Sequence, residues 1–196
     1  MYLGTKPVEM AHVYDTHFEN GMNLNPSVEE NMWEHVSEHA EHGDNDLGRT
    51  VTEQKADKVQ GDIGEALVYK ALSNSPGLTV EYADGKDCDL FVNDYSIEVK
   101  SRKGWDSYKD LLVRVINGTT ADYYVQVIIN RNPITEKPVG GWVSGFATVQ
   151  DVEDAEYFMP EKRNDTKIID HDNLRSMNEL YNKTSSETEG IQTVTA

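Results

Sequence analysis

The spacing of apolar residues changes along the chain, and the change separates helical stretches from strand-like ones. From residue 50 to residue 73 the spacing is that of an amphipathic helix. Thr50, followed three residues later by Glu53, is typical of a capping box, so we predict a helix from Thr50 to Ser73. Gly61 and Gly64 lie inside it and cost about 1 kcal/mol each relative to alanine, which indicates that another element approaches that face closely. The apolar positions of this helix are Val59, Ile63, Ala66, Leu67 and Ala71.

An earlier apolar stripe predicts a helix nearer the N-terminus. Asn25 is a suitable N-cap, Pro26 suits the first turn, and Gly43 ends the pattern. The stripe itself consists of Val28, Met32, Val36 and Ala40.

Between residues 78 and 146 the apolar runs are short and strand-like, and helical patterns return afterwards. The predicted strands are 78–82, 88–92, 95–100, 122–130 and 141–146, whereas 110–116 fits either a helix or a strand. Thr148 with Asp151 forms a second capping box, and Asp172 is a suitable cap for a last helix over 173–180. We therefore expect an α/β domain over residues 50–181, with a mixed sheet of about five strands and helices on both faces. An acidic extension, 1–49, precedes it, and the composition of 182–196 predicts disorder.

The charge of the chain bears on its partners. Its 196 residues include 35 acids and 18 bases, for a net charge of -17, and such a field by itself repels nucleic acid. Molar salt shortens the Debye length to about 3 Å and removes most of that repulsion. An acidic shell of this kind is typical of proteins from a salt-loving archaeon or its virus, although ordinary solubility explains it equally well. Bases outnumber acids only locally, at Lys100, Arg102, Lys103, Lys109 and Arg114.

Several other classes are disfavoured by the sequence. No apolar run reaches the roughly 20 residues of a membrane helix, and the N-terminus has no signal-peptide core, so we expect a cytoplasmic protein. The single cysteine, Cys88, excludes a disulfide framework and a cysteine-based zinc site. His35, His39 and His42 lie at a spacing that can hold zinc on one side of a helix; histidines at the edge of the core or in solvent are the alternative.

The segment 87–100 contains the strongest chemical signal. Asn93 and Asp94 fit a two-residue hairpin turn, because both residue types tolerate positive φ. Alternation then places Asp89 opposite Glu98. The apolar face would consist of Cys88, Leu90, Val92, Tyr95, Ile97 and Val99, and the polar face of Asp87, Asp89, Glu98 and Lys100.

The polar face of this hairpin predicts a metal site. Directly opposed carboxylates destabilise a strand pair unless a cation lies between them, and hard oxygen ligands suit Mg²⁺ or Mn²⁺. Lys100 lies on the same face as Glu98 and can orient a water molecule or stabilise charge during phosphodiester hydrolysis. Asp87 could replace Asp89 as a ligand, but it faces Lys100 and suits a salt bridge better.

The spacing of Asp89, Glu98, Val99 and Lys100, on two strands that follow a helix, resembles the PD-(D/E)XK nuclease superfamily. The run Gly61-Asp62-Ile63-Gly64-Glu65 is similar to the helix of its resolvase-like and phage-nuclease branches. The resemblance covers about residues 59–150 and implies a restriction-endonuclease-like fold and Mg²⁺- or Mn²⁺-dependent cleavage of DNA, endo or exo.

The resemblance also implies a role for each site residue. Asp89 and Glu98 would bind the metal together with the carbonyl of Val99. Lys100 would position the attacking water, and Glu65 would hold the hydration shell of the metal. Cys88 stands where the family has a proline.

Partners follow from the same residues. Arg102, Lys103, Lys109 and Arg114 form a candidate DNA-backbone patch, with scattered solvated bases as the alternative. Gln60 could touch DNA or lie on the helix surface. A nuclease fold without turnover, acting as a DNA-binding or structural module, is the competing function, and a homodimer is left open.

Overall fold

The computed structural model describes residues 11–13, 22–26, 51–83, 88–104, 110–116, 118–131, 134, 138–158 and 165–186. Within these ranges the helices are α1 (Val51–Ser73), α2 (Val149–Asp154) and α3 (Met177–Ser186). The strands are β1 (Ala11–Val13), β2 (Met22–Pro26), β3 (Val80–Tyr82), β4 (Leu90–Val92), β5 (Tyr95–Lys103), β6 (Leu111–Arg114), β7 (Tyr123–Arg131), β8 (Pro138–Thr148), β9 (Glu156–Tyr157) and β10 (Thr166–Ile169).

The described strands form two sheets. The main sheet has seven strands in the order β1-β2-β8-β7-β5-β4-β3, and β6-β10-β9 form a smaller one. Strands β5 and β7 are parallel, and the other described neighbours are antiparallel. The expected α/β class with a mixed sheet is confirmed, but the main sheet is wider than the predicted five strands because β1 and β2 join it through β8.

Two apolar layers cover the faces of the main sheet. Helices α1 and α3 pack on the face that carries Leu90, Ile97 and Val125. The opposite face, with Tyr124 and Ala147, packs against the small sheet and Val152 of α2. The prediction of helices on both faces therefore holds only in part, since the small sheet takes most of the place expected for helices on the second face.

The connection between the parallel strands β5 and β7 contains β6, which answers the ambiguity of 110–116. Leu111 and Val113 are buried on one side of β6, and β6 pairs with β10 more than 50 residues later. The strand conformation is stabilised by this distant partner. Period-2 burial over four residues is too short a signal to choose between strand and helix from the sequence.

Helix α1 has the predicted extent, but another element packs closely against only one of its two glycines. A Cβ at Gly64 would lie 1.9 Å from Oγ of Ser101 and 3.6 Å from Cγ1 of Val99, so β5 does pack tightly there. A Cβ at Gly61 would meet no atom within 4 Å. The expectation is therefore confirmed for Gly64 and wrong for Gly61.

The two ends of the chain differ from the sequence prediction. Asn25 and Pro26, expected at the start of a helix, belong to β2, and the rest of that predicted helix lies outside the described residues. The last helix is α3 rather than 173–180, and it includes residues up to Ser186 that were expected in the disordered tail. Residues 171–173 form a 3-10 turn capped by Asp170 instead of the start of that helix.

Candidate functional site

The hairpin of β4 and β5 has the predicted turn and register. Leu90 pairs with Ile97 and Val92 with Tyr95, and Asn93 has a φ of 53°. The side-chain oxygen of Asn93 accepts a hydrogen bond from the Thr79 N–H at 2.8 Å. This contact fixes the closed end of the hairpin. The candidate site residues Asp89, Glu98 and Lys100 lie toward its open end.

Asp89 leaves the ladder at that open end. Its backbone N–H donates to the Ile97 carbonyl at 2.9 Å, and β4 begins only at Leu90. The preceding Cys88 packs in the apolar layer opposite to that of Leu90, so its prediction on the same face is wrong. The bend also means that Asp89 is not a regular cross-strand partner of Glu98.

The carboxylate of Asp89 lies against the edge of β5, just past the end of its described ladder with β4. It accepts a hydrogen bond from the backbone N–H of Val99 at 2.7 Å. Because the N–H and C=O of one strand residue point to the same neighbour, the carbonyl of Val99 points toward this edge as well. Asp89 and the Val99 carbonyl, both predicted metal ligands, are thus brought to one edge of the sheet.

The next carbonyl along this edge is bound by helix α1. The side-chain amide of Gln60 donates to the carbonyl of Ser101 at 3.1 Å, and Gln60 is only 8% exposed. Both sequence interpretations of Gln60, on the helix surface or against DNA, are therefore wrong. Oε1 of Gln60 and Oγ of Ser101 are buried without a hydrogen-bond partner among the described residues, which is the environment of a bound water.

Glu98 and Lys100 are ion-paired with each other on the same face of β5. Their side chains are 18% and 34% exposed, so substrate can reach them. The lysine compensates the charge of Glu98, and the Val99 N–H compensates that of Asp89. The carboxylates therefore do not require a metal to coexist. Asp87, the predicted partner of Lys100, lies outside the described residues.

Glu65 lies near Tyr82, at the end of β3. Its negative charge helps to raise the pKa of Tyr82, after the larger effect of burial. Tyr82 pairs with Leu90, and the N–H of Ala83 donates to the Asp89 carbonyl at 3.0 Å. Glu65 thus lies close to Tyr82 at the end of β3, and its role at a metal stays a prediction.

Helix α1 carries a second acid on this side, which the sequence analysis did not single out. Asp62 is fully buried and also raises the pKa of Tyr82. Its position three residues before Glu65 places both on one helix face, and this spacing is a signal that could have identified it.

Among the described residues, the predicted DNA-contacting bases Arg102, Lys103 and Arg114 lie on two strands and on both faces of β5. Arg102 follows Lys100 on the same face of β5, and Lys103 ends the strand on the other face. Arg114 lies on β6 and pairs with Asp165 at 2.9 Å. Lys109, like His35, His39 and His42, lies outside the described residues.

Gln126 is a site neighbour that the sequence analysis missed. It is fully buried on β7 and pairs in register with Lys100. Its Oε1 lies 3.1 Å from Nδ1 of His171. A single polar residue inside the apolar run 123–129 is a signal that could have identified it.

The donor set fits a hydrated Mg²⁺ or Mn²⁺ better than a tightly enclosed cation. In the part of the chain that the structure describes, no three His, Cys, Asp or Glu side chains form a metal-binding group. Mg²⁺ commonly uses one or two carboxylates, waters and substrate phosphates. Asp89, Glu98 and the Val99 carbonyl match that pattern, and the two unpartnered buried oxygens are suitable for bound water.

Comparison of the chain with family models, curated proteins and solved structures found no match. None of the described helices is both long enough and apolar enough to cross a membrane.

Proposed function

We propose that the protein is a cytoplasmic, Mg²⁺- or Mn²⁺-dependent deoxyribonuclease with a PD-(D/E)XK-like site. One observation carries the proposal: the carboxylate of Asp89 is held on the N–H of Val99 at 2.7 Å. It brings an acid, a backbone carbonyl and the Glu98–Lys100 pair to the same open end of one hairpin. These are the groups that metal-assisted phosphodiester hydrolysis needs.

Asp89, Glu98 and the Val99 carbonyl would hold the metal. A bound divalent cation would polarise the scissile phosphate and lower the pKa of a coordinated water. The half-buried position of Glu98 gives its charge more effect than it would have on an open surface. Glu65 on α1, close to Tyr82, would stabilise the hydration shell of the cation.

Lys100 would orient the attacking water and stabilise charge that develops on phosphate. Its ammonium is ion-paired with the carboxylate of Glu98, so the group that orients water and the group that binds metal would lie side by side. Arg102, on the same strand face, would contact the DNA backbone beyond the site. Lys103, Lys109 and Arg114 would make weaker contacts to DNA phosphates. The proposal is compatible with a monomer or a homodimer.

A second candidate is a nuclease-fold protein that binds DNA without cutting it. The Glu98–Lys100 ion pair favours this candidate, because the site is electrostatically balanced without a metal. The two functions differ in turnover, and that is what the experiment measures.

The test is a cleavage assay on labelled duplex, single strand, flap and four-way junction, with Mg²⁺ or Mn²⁺ at low and molar KCl. Lys100→Ala should reduce the single-turnover rate by at least about 100-fold and leave DNA binding in Ca²⁺ unchanged. Glu98→Ala should lose both cleavage and metal binding. Lys183→Ala is the matched control, because Lys183 also pairs with a glutamate, Glu179, at 3.6 Å, but on α3.

Two results would contradict the proposed nuclease activity. One is the absence of cleavage of every substrate under every condition, and the other is full activity of Lys100→Ala. DNA binding without cleavage by the wild type would instead support the inactive module.

A further inference from the structure

Gln126 and His171 form a polar pair beside the Glu98–Lys100 ion pair. Gln126 lies next to Lys100 on the neighbouring strand, about 4.8 Å away along the hydrogen-bonding direction. Its side chain points to the same face as those of Glu98 and Lys100, because partners in register share a face. Gln126 is fully buried, whereas His171 is half-buried, so the histidine lies on the outer side of the pair.

The backbone holds His171 firmly at this place. Its N–H donates to the carboxylate of Asp110 at 3.0 Å, which ties it to the start of β6. Four residues later, Arg175 exchanges two backbone hydrogen bonds with Phe146 of β8, at 2.8 and 3.0 Å. A fixed backbone together with the hydrogen bond from the ring to Gln126 orients the imidazole before any substrate arrives.

A bulge in β8 explains how the 171–175 segment can pack so closely. The register shifts between Gln126 and Val127, and a Cβ at Gly145 would lie 2.6 Å from the carbonyl oxygen of Arg175. Gly145, with a φ of 156°, is also in the range that favours glycine. Bulges of this kind often occur next to active sites, where they redirect a side chain.

The hydrogen bond defines which nitrogen of His171 can act on a substrate. The Gln126 Oε1 is an acceptor, so Nδ1 of the ring carries the proton and donates at 3.1 Å. In the neutral ring Nε2 then has the lone pair, and none of the described residues forms a hydrogen bond to it.

We propose that His171 is the proton acceptor of the nuclease site, with Gln126 as its positioning residue; this rests on the proposed function. An O–H bond of the attacking water breaks and its proton goes to Nε2. The water oxygen forms a bond to phosphorus, and the bond from phosphorus to the leaving oxygen breaks. That oxygen keeps the electron pair and takes a proton from solvent.

The experiment measures single-turnover cleavage of the best-cut substrate with saturating Mg²⁺. We expect His171→Ala to be about 100- to 10,000-fold slower than the wild type, with DNA binding in Ca²⁺ unchanged. Added imidazole should raise the cleavage rate of His171→Ala at least tenfold, because it can occupy the space left beside Gln126. Asn173→Ala, an exposed residue of the same turn, is the control and should be neither slow nor rescued.

Gln126→Met tests the positioning role and also covers the case in which His171→Ala does not fold. It keeps the side-chain length but removes the acceptor, and it should slow cleavage without responding to imidazole. Normal cleavage by His171→Ala and Gln126→Met, while Lys100→Ala is inactive, would overturn the role of His171. The proposed nuclease activity would be unaffected by that result. Slow cleavage by His171→Ala without rescue would also overturn it, and a wild type that cuts nothing would overturn both proposals.

Discussion

The carboxylate of Asp89 accepts a hydrogen bond from the backbone N–H of Val99 at 2.7 Å. The contact joins β4 to β5 one step beyond the point where their ladder ends at Leu90 and Ile97. Asp89 is therefore positioned by the backbone of its neighbour. In the proposed nuclease site, the acid would be in place before a cation or DNA arrives.

Substitution of Asp89 should separate this structural contact from metal binding. Asp89→Asn keeps an oxygen that can accept from Val99 and should fold nearly as stably as the wild type. It should nevertheless lose the Mg²⁺-dependent rise in Tm, because the charge that binds the cation is gone. Asp89→Ala should lose that rise and also about 1.5–3 kcal/mol of unfolding free energy. Thermal melts with and without Mg²⁺ measure both effects, and an Asn variant that still responds to Mg²⁺ would contradict the ligand role.

Glu65 should contribute less than Asp89 to metal dependence. Its charge acts near Tyr82 at the end of β3, and it would reach the cation through water. We expect Glu65→Gln to raise the Mg²⁺ concentration for half-maximal activity and to lower the rate, in both cases less than Asp89→Asn does. Titration of activity with Mg²⁺ tests this. Unchanged or tighter Mg²⁺ dependence would place Glu65 outside the site.

The two glycines of α1 should respond oppositely to alanine. Gly61→Ala should stabilise the protein by about 1 kcal/mol, since a Cβ there meets nothing and helix propensity improves. At Gly64 the same Cβ would lie 1.9 Å from Oγ of Ser101, which must rotate against the buried Gln60 contact. We therefore expect Gly64→Ala to be less stable than Gly61→Ala by 1 kcal/mol or more in urea unfolding. Equal stability of the two variants would show that β5 does not constrain this face.

The acid stability of the protein should depend on Asp151. Arg175 donates to both of its carboxylate oxygens, at 2.8 and 2.9 Å, and holds the pKa of Asp151 well below its ordinary value of 3.8. A lowered folded-state pKa gives stability that is present above about pH 4 and is lost as the pH falls through the folded pKa.

Asp151→Asn should therefore cost about 1 kcal/mol near neutral pH, and the difference from the wild type should shrink below pH 4. Urea unfolding at a series of pH values measures this difference. Asp154→Asn, an exposed aspartate of the same helix, is the control. A difference that stays constant down to pH 2 would contradict the role of the ion pair.

The net charge of -17 should make the fold dependent on salt. Repulsion among the acids weakens as the Debye length falls from about 10 Å at 0.1 M to about 3 Å at 1 M. The Tm should rise from low to molar KCl. Melts across that series test it, and a flat or falling Tm would remove the argument for salt adaptation.

The local elements could be predicted from the sequence. The turn at Asn93, the register of Leu90 with Ile97, and the capping box of Thr148 all depend on residues that are close in the chain. Short-range alternation and capping act over a few residues, so their outcome can be predicted without knowledge of the rest of the fold.

Tertiary structure decided the contacts between distant segments. Lys100 pairs with Glu98 on its own strand, and the bend at Asp89 breaks the alternation on which the predicted cross-strand pairs relied. Gln60 is buried because β5 presents a carbonyl to it 41 residues later. His171 meets Gln126 across 45 residues. Such contacts depend on which apolar faces cover one another, and a period of two or 3.6 residues indicates that a face will be buried without indicating its partner.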